Sequence, residues 1–154
     1  MSVSRFSIFG IYWLPVILWM SLIFAGSTGA LSGNQTSRFL GPFLRWIYPA
    51  ATDETVRALQ FGIRKCGHLT EYAILAALLW RARRKPKLDP GRPWLRSDAL
   101  FAIGIAALYA VSDEWHQSFE PTRYGSPLDV LIDTIGAALG IAVIWMIGRM
   151  RRRW

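Results

Sequence analysis

Residues 8–25 read IFGIYWLPVILWMSLIFA, an uncharged apolar run long enough to cross the hydrocarbon core of a bilayer, which takes roughly 20 residues of helix. The run exceeds the apolar core of a signal peptide, about 7–15 residues, so it reads as a retained anchor helix. Three more segments of this kind follow. Residues 69–80 reach spanning length when their polar extension from Lys65 is included, residues 99–119 carry acids in their last turns, and residues 127–148 carry them in their first turns. The expected fold is an all-α polytopic membrane protein. A single domain over residues 1–154 would hold four transmembrane helices near residues 8–26, 65–81, 98–119 and 127–148.

The chain has 154 residues, 53% of them hydrophobic, and a formal net charge of +8. A positive balance of that size suits either nucleic acid or membrane orientation, and the placement of the cations decides between them. Arg81, Arg83, Arg84, Lys85, Lys87, Arg92 and Arg96 lie after the second apolar segment, and Arg149, Arg151, Arg152 and Arg153 after the fourth. By the positive-inside rule both groups belong in the cytoplasm, which gives a multi-pass membrane protein with both termini cytoplasmic. Residues of about 27–64 and 119–126 would then be outside. No nucleic-acid partner is expected; membrane lipids are, and the basic residues 149–153 suit anionic ones.

Small residues at 26–34 end the first span in a hinge or loop. The helical segment at about 34–64 mixes Arg38 and Arg45 with Phe39, Phe43, Trp46 and Tyr48, a pattern that fits either a helix lying on the outer leaflet or a lid packed on the bundle. Thr52, followed by Asp53 and Glu54, is a good helix start, because a Thr cap and two acids complement the unpaired amides there. Residues 52–80 can form one helix or two with a bend near Gly62 or Gly67. The single Cys66 has no partner for an internal disulfide.

Polar residues recur at helical spacing inside these apolar segments. Lys65, His68 and Tyr72 share one face with Glu71 beside them; Asp113 and Gln117 are one turn apart with Glu114 at their flank; Ser126, Asp129 and Asp133 continue on one stripe into Gly136 and Gly140. The two glycines make a G-x-x-x-G pair, which lets helices approach closely. Charges at membrane depth cost about 2.5–3.5 kcal/mol each on insertion scales, so they face an interior or a wet cavity. Such a network can simply hold helices together. It can also bind: Lys65, His68 and Arg123 are suited to an anionic headgroup, Asp113, Glu114 and Asp129 to orienting those cations, and Tyr72, Gln117 and Ser126 to neutral hydrogen bonds. His68, Asp113 and Glu114 are the candidates for acid–base catalysis, which the residues permit without demanding. The same acids could bind a divalent cation, which prefers oxygen ligands, but this is the minority reading and no metal or cofactor is expected; there is no phosphate-binding loop, no paired-cysteine zinc pattern and no dinucleotide fingerprint. His116, beside Trp115, reads as structural.

The order of these residues resembles the VanZ-like membrane family. The pattern K-x-x-H-x-x-x-Y falls on Lys65, His68 and Tyr72, with Arg81 before the basic loop; S-D-E-x-x-Q-x-F-x-P-x-R-x-x-S-x-x-D falls on Ser112, Asp113, Glu114, Gln117, Phe119, Pro121, Arg123, Ser126 and Asp129, and Gly136 and Gly140 follow. With the apolar helices the resemblance covers about residues 8–148. It implies a small helical inner-membrane protein of a family named after a protein linked to low-level teicoplanin resistance. It further implies a lipid-linked cell-envelope precursor or a glycopeptide antibiotic as possible company at the cluster, and no agreed reaction. Asp133 departs from the pattern, where the family is expected to have Asn.

Overall fold

The computed structural model describes residues 5–28, 33–86, 88–89, 91–119 and 125–154, and the side chains within them except those of residues 5–7 and 33–36. Among the described residues there are six helices and no strand: α1 (Arg5–Tyr12), α2 (Leu14–Ser27), α3 (Gly33–Ile47), α4 (Asp53–Arg84), α5 (Arg96–Gln117) and α6 (Pro127–Met150). The bundle is built on α4, α5 and α6, with α1 and α2 packed along it and α3 resting on α4.

The first apolar segment is broken where a single helix is expected. Pro15 has no N–H to give to the carbonyl of Ile11, and the helix divides at Trp13. The freed carbonyl is not left bare: Arg81 of α4 donates to it through Nη1 at 2.9 Å and lays its guanidinium over the Tyr12 ring at 5.2 Å. The kink in one element is thereby stitched to another. α4, in contrast, is one helix of 32 residues, which answers the alternative of one helix or two. The Thr52 side chain accepts from the Thr55 N–H at 3.2 Å, Asp53 and Glu54 fill the first turn, and Lys85 stops the helix in the left-handed region at φ 49°.

Of the four expected spans, α6 alone is both long and apolar enough to cross a membrane by length and composition; α2 is apolar but has 14 residues. The way the helices pack supplies a different kind of information. Ala76, Ala102, Ala106, Ala110 and Ala137 are fully enclosed, whereas Leu100, Leu108, Trp115, Leu128 and Leu139 face outward. The interior combines these alanines with Tyr12, Tyr72, Leu75 and Leu79, and the alanines let the helices approach closely. The closest approach lies between α4 and α6. A Cβ on Gly136 would stand 2.8 Å from the Leu69 Cα, and one on Gly140 the same distance from the Ala73 Cα, so the G-x-x-x-G face meets bare backbone one turn apart on α4.

The end of the bundle formed by the last turns of α4 and α6 and the first turn of α5 is closed by a buried acid. Asp98, 1% exposed, takes Arg92 Nη2 at 2.8 Å and Arg83 Nε at 3.5 Å. Arg84, also buried, donates to the carbonyls of Pro93 and Arg92 and is packed between Trp80 and Trp154.

Candidate functional site

At the opposite end of the three core helices the polar residues read from the sequence converge. α4 and α6 meet along a seam in which Lys65 pairs with Asp129, and His68 Nδ1 stands 3.2 Å from Asp133 Oδ1. The Asp133 side chain is wholly buried. Four residues separate the two acids, one helical turn, so they meet two α4 partners in succession. The glycine crossings at Leu69 and Ala73 continue the same seam inward.

α5 brings a second pair of acids to this seam. Asp113, 2% exposed, accepts from Ser27 Oγ at 2.6 Å and from Gln117 Nε2 at 3.0 Å, both on Oδ2. Glu114, 5% exposed, accepts the Ser126 backbone N–H on Oε2 at 2.7 Å. Ser126 caps α6 by position and makes no side-chain cap bond; its own backbone N–H is the one that Glu114 satisfies. Gly125 fits beside this contact because a Cβ there would lie 2.5 Å from the Glu114 carbonyl oxygen. Tyr72 is fully enclosed, its ring centroid 6.4 Å from that of Tyr109. Among the described residues, the Tyr72 hydroxyl, Asp113 Oδ1 and Glu114 Oε1 are buried without a hydrogen-bond partner. Such atoms carry the full desolvation cost of about 1–3 kcal/mol each until something pairs with them.

The site set expected from the sequence is therefore largely assembled: Lys65, His68 and Tyr72 from α4, Asp113, Glu114 and Gln117 from α5, Asp129 from α6, and Ser126 through its N–H. Arg123 lies outside the described residues. Ser112 turns back to the Tyr109 carbonyl at 2.8 Å and takes no part. His116 packs against Phe24 with ring centroids 4.6 Å apart. Two participants were outside the expected ligand set. Asp133 was visible as an extra acid on the α6 stripe; Ser27 reads locally as part of a hinge, and its contact with Asp113 spans 86 residues of sequence, beyond any local signal. The described residues contain no His, Cys, Asp and Glu grouping that could hold a metal ion.

A family model described as VanZ/LLP1 matches residues 11–148. The chain belongs to the VanZ/LLP1 family. The match takes in all of the polar cluster and the seam that carries it. VanZ proteins are typically membrane-associated, in keeping with an α6 that is long and apolar enough to cross a bilayer. No curated protein and no solved structure matches this VanZ chain.

Proposed function

We propose that this protein crosses the bacterial inner membrane four times and that its polar cluster, on the outer side, recognises a lipid or cell-envelope headgroup, thereby altering susceptibility to glycopeptides such as teicoplanin. The observation that carries this reading is the group of buried oxygens without a hydrogen-bond partner among the described residues, the Tyr72 hydroxyl, Asp113 Oδ1, Glu114 Oε1 and Asp133 Oδ2, converging from three helices. Apolar cores pack well without such atoms, so their retention fits a ligand that supplies the missing partners. Lys65 and His68 already face Asp129 and Asp133, which leaves acceptors rather than cations available. A headgroup rich in hydroxyl or amide donors, a glycan or a peptide, suits that balance better than a bare phosphate. The four-span topology is supported by the outward-facing large apolar residues and by basic residues gathered at the end away from the cluster.

The test is teicoplanin susceptibility of a sensitive Gram-positive host carrying empty vector, the protein, or its His68→Ala and Asp113→Asn forms at matched membrane abundance. Protection by the unmodified protein that disappears in both variants is expected; equal susceptibility in all four strains removes the antibiotic role.

A second reading is a membrane enzyme acting on a phosphate- or glycan-bearing lipid, and the 3.2 Å approach of His68 to Asp133 favours it, because a carboxylate at one ring nitrogen orients the other as a proton acceptor. Asp113 or Glu114 would be the complementary acid. Conversion of a defined lipid that stops in His68→Ala supports this; tight binding with unchanged lipid supports the recognition role alone.

A further inference from the structure

We infer that the basic end of the bundle holds a second site, for an anionic amphiphile: a phosphate- or carboxylate-headed lipid whose chain enters between α4 and α6. A cavity of about 710 Å³ opens there, floored by Ala77, Leu78, Trp80, Ile144 and Ile147 and ringed by Arg81, Arg84 and Arg153. Ligand sites occupy roughly 300–1,000 Å³ and combine apolar walls with a few charged groups, and this cavity does both.

The charge balance selects the sign of the occupant. Asp98, the one buried acid at this end among the described residues, is committed to Arg92 and Arg83. Among the described residues Arg84 hydrogen-bonds carbonyls and packs on indole rings, with Asp98 and Asp89 acting on it only at longer range, and Arg81 meets the Ile11 carbonyl and the Tyr12 ring. Carbonyls and π faces satisfy N–H groups but leave the net charge uncompensated. Burial first, and the charge of Arg92 second, push the Arg84 guanidinium below its ordinary range. An anionic head at the rim answers that charge, and the apolar floor discriminates in favour of a head that carries a hydrocarbon chain. The segment after α6 is placed to close over it. Trp154 turns back to donate to the Trp145 carbonyl at 3.3 Å and covers Gly148, where a Cβ would overlap its indole ring. Trp80 and Trp154, 5.8 Å apart, both line the cavity, and Trp94 packs behind them at 5.4 Å from Trp154.

Native mass spectrometry of the detergent-purified protein, offered phosphatidylglycerol or phosphatidylcholine with identical chains, tests the site. Retention of phosphatidylglycerol is expected to exceed that of phosphatidylcholine and to fall about fivefold in Arg153→Gln, the scale of one cation at an anionic surface. Arg153 is exposed and its one hydrogen bond, to the Gly148 carbonyl, is made by its backbone N–H, so replacing the side chain leaves the fold alone. Ala77→Phe, which fills the floor, is expected to lower retention of the lipid while leaving inorganic phosphate without effect in competition. Equal retention of the two lipids, phosphatidylglycerol retention that survives either substitution, or displacement of the lipid by inorganic phosphate overturns the inference.

Discussion

Where α5 turns into α6, buried oxygens wait for donors: Asp113 Oδ1, Glu114 Oε1 and the Tyr72 hydroxyl have none among the described residues. Where α4 and α6 end, the surplus is reversed, and Arg81 and Arg84 have carbonyls and rings but no ion pair with a carboxylate among the described residues. The same three helices therefore carry acceptor-rich chemistry at one end and cation-rich chemistry at the other. The difference teaches that the two ends are suited to different occupants, a donor-bearing headgroup and an anion. It also separates acids that close a structure from acids that remain available. Asp98 has two arginines; Asp113 has two neutral donors on one oxygen and nothing on the other.

The seam between the ends gives the largest expected effect. Gly136→Leu would drive a side chain into the Leu69 backbone and push α4 from α6, separating both acid pairs at once. We expect a loss of about 3 kcal/mol or more, the upper part of the overpacking range, seen as collapse of the monodisperse detergent peak on size-exclusion chromatography. Asp98→Asn comes next. Arg92 and Arg83 reach water over 26% and 48% of their side chains, so we expect roughly 2–3 kcal/mol rather than the full cost of a buried pair, read as a lowered Tm in detergent. Asp113→Asn sharpens the contrast, because an amide oxygen can still accept from Ser27 or Gln117. Its Tm should fall by the equivalent of about 1 kcal/mol or less while headgroup-dependent protection is lost; a fall matching that of Asp98→Asn would mean that both ends are structural closures. The smallest effect belongs to neither end. Arg45 and Asp53 form an ion pair with side chains 55% and 68% exposed, and Arg45→Ala should change stability by no more than about 0.5 kcal/mol.

The legible parts of this molecule were the ones set by local chemistry or by helical period. Thr52, Asp53 and Glu54 announce a helix start because the cap and the dipole act within one turn, and the structure has that start. Gly136 and Gly140 share a face with Asp129 and Asp133 by period alone, and both the close approach and the acid pairs follow from it. Pro15 was equally visible inside the first apolar run, but the Arg81 donor that takes the freed carbonyl lies 70 residues away and has no local signal. Asp98 and the indoles of Trp80, Trp94 and Trp154 escaped for a related reason. Each reads locally as a loop-edge or helix-end residue; Trp80 and Trp94 stack across the connection between α4 and α5, and the return of the segment after α6 adds Trp154 to them. The polar cluster was recoverable because its members repeat on three helices; the Ser27 contact was not, because nothing periodic marks it.

The seam has a temporal side as well. Lys65 and Asp129 are 64 residues apart in sequence, and α5 must be made before α6 can bring the acid to the cation. At synthesis rates of about 5–20 residues per second, α4 waits roughly 3–13 s with its charged face unmatched. During that interval the helix carries a recognition surface for whatever assists insertion, and its fate depends on the arrival of α6. Assembly of the seam is thus a commitment made by α6, and defects in Asp129, Asp133 or Gly136 are expected to show as degradation of new chains before they show as altered behaviour of finished ones.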